Sequence, residues 1–187
     1  MQGRTYLCLD QQEYSLGDYR LVPIRDQDKY LIMQWRNEQI YHLRQSEPLT
    51  PEMQEKYFSE VIPAFFLQNR PSNLLFSYLK QDQCIGYGGL VHINWKDRHA
   101  EISFIMSTEL EQEQFNLHWG NYLTMLKQVA GSGLGFRKMY TYAFDLRPQL
   151  YKAVEQSGFV QEARLKDHCF FENRFVDVVI HSYFFTV

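Results

Sequence analysis

HAEISFIMSTELEQEQFNLHWG, residues 99–120, changes character halfway along its length. It opens as a strand, with Ala100, Ile102, Phe104 and Met106 on one face and Glu101, Ser103 and Ile105 on the other. A polar loop carrying Glu109, Glu111 and Glu113 then leads into an amphipathic helix. Strand, loop and helix start in succession suit an anion, because free N–H groups and the positive end of the helix dipole meet there. Glu101 lies inside the strand rather than at a turn. The stretch is either a catalytic centre or the middle of a sheet.

Downstream, Trp119, Tyr122, Leu123, Leu126, Val129 and Ala130 trace one stripe of a helix over Leu117–Ala130, with Gly131 and Gly133 just past its end. Met139–Phe144 reads as a strand and Pro148–Gln156 as a short helix closed by Ser157-Gly158. Phe159–Phe170 and Phe175–Phe185 pair as a hairpin around Glu172-Asn173-Arg174. Upstream, Leu74–Lys80 and Cys84–Trp95 join the strand at His99 in an antiparallel meander, through turns at Gln81–Gln83 and Lys96–Arg98. Gly86, Gly88 and Gly89 predict a bulge or a close backbone approach in the middle strand.

Nearer the N-terminus, AFFLQNRPSN (64–73) reads as a loop. Thr50-Pro51 starts a helix that runs to the neighbourhood of Val61 and is stopped by Pro63. Asp26 caps a helix over Gln27–Glu38, and Tyr19–Ile24 is a first strand whose Pro23 marks an edge. Residues 4–12 form a short leading strand or arm. The order predicts one α/β domain over 1–187 with a mixed sheet, in the α+β manner.

Composition narrows the function. A net charge of −3 argues against nucleic acid, which requires clustered Lys and Arg. No apolar run approaches the length that crosses a bilayer, so no membrane partner is expected. MQGRTYLCLD has no apolar core of a signal peptide, and Cys8, Cys84 and Cys169 show no metal or disulfide spacing. A cytoplasmic setting is expected. The six His residues lack paired ligand spacing and no G-x-S-x-G occurs, so neither a metal site nor a nucleophile hydrolase is expected. GSGLG at Gly131–Gly135 follows a helix and precedes a strand, the reverse of a nucleotide loop. The 14 Phe and 13 Tyr suit β-structure with an aromatic-lined groove.

Four local patterns, in order, resemble the GNAT N-acetyltransferase superfamily, nearest its ribosomal-protein N-terminal and bacterial amino-sugar branches. YRLVPIRDQD followed by Trp35-Arg36-Asn37 is similar to the opening strand and helix. Cys84–Gly89 is similar to the family's IGxxxL strand, and Ala100–Phe104 to its AEIGY strand. Ser157-Gly158-Phe159 and then ENRFVD match its ending. The resemblance implies a single-domain acyl-CoA N-acyltransferase fold. It also implies transfer of acetyl from acetyl-CoA to a primary amine, on an amino sugar or a peptide N-terminus.

Such chemistry requires a base for the amine and N–H donors for the thioester oxygen. By resemblance, Glu101 is the base, with a structural ion pair to Arg98 or another strand's cation as the competing reading. Backbone N–H groups of Ile105, Met106 and Ser107 hold the thioester. Gln114, Phe115, Asn116, Leu117, His118 and Trp119 form the cofactor loop. Trp35, Arg36, Asn37, Arg44 and His92 face the acceptor, His92 also standing as a second base.

The chain departs from the family pattern at three places. Leu117 and Trp119 fill the two small positions of the Q/R-x-x-G-x-G/A loop, where a Cβ obstructs the pyrophosphate. Val154 stands where the family often has its acid Tyr, leaving Tyr151 as the substitute, and Arg147 and Leu150 replace an Asn and a Ser. These departures support an alternative, a GNAT-fold binding or regulatory module that does not use CoA productively. Phe170-Phe171 and Phe184-Phe185 suit either core packing or a dimer, so the chain is expected as a monomer or homodimer.

Overall fold

A computed structural model describes residues 4–186 and puts the alternating strand at His99 in the middle of a sheet. The strands are β1 (Tyr14–Leu16), β2 (Tyr19–Pro23), β3 (Leu74–Lys80), β4 (Gln83–Asn94), β5 (His99–Met106), β6 (Lys138–Phe144), β7 (Val160–Phe171) and β8 (Arg174–Phe184). They lie in the order β1-β2-β3-β4-β5-β6-β8-β7. Only β5 and β6 run parallel; every other adjacent pair is antiparallel. The helices are α1 (Lys29–Glu38), α2 (Pro51–Lys56), α3 (Ile62–Phe66), α4 (Thr108–Glu113), α5 (Phe115–Lys127) and α6 (Pro148–Gln156). The class is the expected α/β with a mixed sheet.

The parallel pair positions the site. β5 and β6 stay in register only over His99↔Lys138, Ala100↔Met139 and Glu101↔Tyr140, although both strands continue. Beyond Glu101 they part. The Ser107 N–H donates to the Ile85 carbonyl at 2.9 Å, and hydrogen-bonded pairs alternate along an antiparallel ladder. Ile105 therefore also faces β4, which leaves the N–H groups of Phe104 and Met106 turned toward the splay.

The two faces of β5 meet different partners. Phe104 stacks on Tyr122 of α5 at 3.8 Å and meets Trp119 edge-on at 5.1 Å. Glu101 and Ser103 point to the opposite face, where α1 and α2 pack. The glycines of β4 make this closeness possible. A Cβ on Gly88 would lie 2.0 Å from the Ser103 carbonyl oxygen, and one on Gly89 1.8 Å from that of Leu74.

Three expectations are corrected. Residues 4–12 are an arm and not a strand; Tyr6 is buried there and bonds Leu75 through its hydroxyl, while β1 supplies the edge pairing. Thr50 does cap α2, its hydroxyl accepting from the Met53 N–H at 3.3 Å, but Pro63 does not end the helix. The chain passes through a π-helical turn at Tyr57–Val61 into α3, whose first turn holds Pro63 where no N–H is needed. Ala64–Phe66 is thus helix, with Phe65 and Phe66 buried. The acidic loop is helix α4, capped by Ser107, whose hydroxyl accepts from the Leu110 N–H at 3.4 Å.

Candidate active site

The splay opens a cleft of about 120 Å³ walled by Glu101–Ile105 of β5, Thr141–Phe144 of β6, and Arg147 and Leu150 at the start of α6. A second cavity, about 370 Å³, lies between α1, α2 and the sheet. Arg36, Val91 and Ser103 line both, so the two open onto a shared wall.

Glu101 sits at that junction, buried at 5% exposure. One carboxylate oxygen accepts from Arg44 Nη2, and the other from His92 Nδ1 at 2.9 Å. The Arg44 guanidinium lies 4.7 Å from the centre of the Tyr142 ring, which holds it between β6 and Glu101. His92 owes its reach to an irregularity in β4 between Val91 and Asn94, where its φ is +49°. Both partners are more exposed than the buried carboxylate, the Arg44 side chain at 46% and that of His92 at 62%. The ion pair allowed for at Glu101 exists, with Arg44 rather than Arg98.

A second charged group closes the far end of the cleft. Arg147 Nη1 lies 2.9 Å from Glu111 Oε1 and 3.3 Å from His42 Nε2, with its guanidinium 5.8 Å from the Phe115 ring centre. Burial raises the Glu111 carboxyl above its ordinary range despite the arginine. Burial, then Arg147, pushes His42 down to about 3, so it is neutral.

The start of α5 faces outward. Gln114 is its N-cap residue, and the first-turn N–H groups of Phe115, Asn116 and Leu117 open onto a groove of about 690 Å³. Glu111 and Glu113 line that groove, and no Lys or Arg does.

Several expected site residues are placed elsewhere. Trp35 is core, and Asn37 ties down the following loop by bonding both backbone groups of Leu49. The N–H groups of Ser107 and Ile105 are turned to β4, so those of Met106 and Phe104 are the ones that face the splay. His118 is buried, its Nδ1 3.1 Å from the Tyr78 hydroxyl, and Leu117 is exposed. Tyr151 does not reach the cleft. Its hydroxyl donates to Asp145 at 2.5 Å, its ring stacks on His181, and burial raises its pKa further, all against a proton-donor role. Arg36, Arg44 and Ile105 line the cleft. No local pattern in the sequence singles out Glu111, His42 or Tyr142, whose pairing comes from the fold.

A thioester arm fits this opening on one observation in particular. Trp119 lines the cleft and carries a buried indole N–H with no acceptor among the described residues. Buried donors are rarely left unpaired. That donor and the N–H groups of Phe104 and Met106 suit a carbonyl-bearing arm, while the phosphate end has only the start of α5.

A family model described as an acetyltransferase (GNAT) domain matches residues 21–180. No curated protein sequence matches the chain. Among solved structures, a spermidine N-acetyltransferase from Vibrio cholerae in complex with CoA and spermine aligns with TM-score 0.75 at 21% identity, covering 90% of this chain and 96% of that one. A dodecameric structure of spermidine N-acetyltransferase from Vibrio cholerae in an intermediate state aligns with TM-score 0.70 at 21% identity, covering 90% and 95%. At this identity the likeness shows a shared fold. Among the described residues, no helix is long and apolar enough to cross a membrane, and no cluster of three His, Cys, Asp or Glu forms a metal site.

Proposed function

The chain belongs to the GNAT acetyltransferase family, whose members carry an acetyl group from acetyl-CoA to an amine, and from that premise we propose an amino sugar or a peptide N-terminus as its acceptor. It is an N-acetyltransferase, and acetyl-CoA is its donor substrate. The observation that supports transfer at this place is the splay of β5 from β6, which brings a buried carboxylate, free N–H groups and an adjoining cavity together.

Acetyl-CoA supplies the acyl group as a thioester with a thiol leaving group. Glu101 takes the proton of the attacking amine, through a water, while Arg44 and His92 keep the carboxylate fixed. The N–H groups of Phe104 and Met106 and the Trp119 indole provide donors for the carbonyl oxygen as charge develops on it. Phe115, Asn116 and Leu117 offer the backbone N–H groups for phosphate. The acceptor enters from the larger cavity, whose wall carries Arg36 and no Asp or Glu. A polyamine therefore draws no support from it. A monomer or homodimer in the cytoplasm completes the reading, with the exposed Phe170 and Phe175 of the last hairpin supporting a dimer.

A second reading, a binding module that does not use CoA productively, draws support from the acidic groove and from Leu117 at a glycine position. Thiol release from acetyl-CoA over a panel of amino sugars and N-terminal peptides separates the two. Release with a member of the panel supports transfer. Acetyl-CoA binding with no release from any member removes the acceptor assignment, and absence of binding favours the module.

A further inference from the structure

Arg36 differs from the other arginines withdrawn from solvent. Arg4, Arg20, Arg25 and Arg147 each meet a carboxylate. Arg36 instead donates Nη1 to the Tyr87 hydroxyl at 2.6 Å and Nε to Gln45 Oε1 at 2.9 Å. Neither partner is a carboxylate, and its Nη2 has no acceptor among the described residues. A guanidinium stays charged at all working pH, and a charge drawn away from water costs free energy unless an opposite charge meets it.

The surroundings offer no such charge. The cavity beside Arg36 is walled by apolar side chains, Ile24, Ile32, Leu49 and Phe58 among them, with Tyr57 and Asn73 as neutral polar groups. Glu101, on the neighbouring wall, already has both oxygens committed to Arg44 and His92. The uncompensated fork thus lies on the wall between the place where an amine would wait and the cleft where it would react.

We infer that Arg36 is the counter-ion for an anionic group on the acceptor itself: the substrate is an amine that also carries a carboxylate or a phosphate, on a body with enough apolar surface to fill the cavity. The inference rests on the larger cavity being the acceptor site. A planar guanidinium recognises carboxylate and phosphate alike, through paired N–H groups. The same wall repels a polycation.

Matched amines test this: glucosamine against its phosphate monoester, and phenylalaninamide against phenylalanine, with spermidine as the polycation. Each is assayed for kcat/KM with acetyl-CoA, and for thermal shift without it. The anionic member of one pair is expected to be favoured ten-fold or more, and the pair concerned tells phosphate from carboxylate. Arg36→Gln abolishes the preference and Arg36→Lys keeps part of it, both with an unchanged thermal shift from acetyl-CoA. Equal values within both pairs, a preference for spermidine, or a preference that survives Arg36→Gln overturns the inference. Loss of the acetyl-CoA shift in the unaltered protein counts against acetyl transfer instead, and the shifts measured without acetyl-CoA still decide the role of Arg36.

Discussion

Arg147 and Glu111 form a buried ion pair, Nη1 to Oε1 at 2.9 Å, that ties α4 to the N-cap residue of α6 at the far end of the cleft. The two side chains are only 10% and 7% exposed. Arg147→Met leaves the carboxylate unpaired and is expected to cost about 3–5 kcal/mol, whereas the double variant Glu111→Leu with Arg147→Met recovers most of it. Urea denaturation measures both. A double variant as unstable as the single one would contradict the pairing.

Glu101 is expected to matter for rate and little for the fold. Glu101→Gln keeps the size of the side chain and one acceptor for Arg44, while removing the base. Its kcat should fall about 100-fold or more, with acetyl-CoA affinity unchanged. Stopped assays of thiol release give the first number and calorimetry the second. An unchanged kcat removes the assignment.

Stability should decline on mild acidification. Burial holds His42, His118 and His181 below the ordinary histidine value, and His42 reaches about 3. The unfolded chain takes up these protons near pH 6.5, so the native state has its full advantage above about 6.5 and loses it as pH falls below that. Glu111 acts with the opposite sign, because burial raises its carboxyl and acid favours its neutral form. The Asp145, Glu162 and Asp177 carboxyls, all lowered, titrate below this window. Denaturant midpoints should therefore fall between about pH 7.5 and 5.5, and His42→Asn should flatten the slope. A flat profile in the unaltered protein would count against it.

The two filled glycine positions have different prospects. Leu117 is 49% exposed at the start of α5, so Leu117→Gly opens the N–H groups at a helix cost of about 1 kcal/mol. It should raise acetyl-CoA affinity a few-fold. Trp119 is 3% exposed and packs on Phe104, so Trp119→Ala opens a core cavity at about 3–5 kcal/mol. Trp119→Phe keeps the packing and deletes the orphan N–H, and about ten-fold weaker acetyl-CoA binding is expected. Equal affinities in all variants would place the ligand elsewhere.

The contrast between Glu101 and its partners shows what the sequence can carry. Alternation in AEISFIM, the Thr50 cap and the Pro148 helix are local patterns, and each appears in the fold where it was read. Arg44 lies 57 residues from Glu101, and Arg147 lies 36 from Glu111. Those pairs depend on where the sheet brings loops together. The charges of α4 suggest a solvated loop, yet Ser107 caps it as a helix and Glu111 turns inward onto Arg147. Pro63 reads as a stop, yet a π turn precedes it and places it in the first turn of α3. His118 and Trp119 fall both in the expected helix and in the expected cofactor loop; the helix holds them and buries both.

Calorimetric titration of acetyl-CoA into the unaltered protein tests acetyl transfer at the β5–β6 splay most directly. One saturable site is expected, with stabilisation of about 2.7 kcal/mol at a ligand excess of about 100 times the dissociation constant. Heat indistinguishable from dilution, and no thermal shift at millimolar acetyl-CoA, would contradict it.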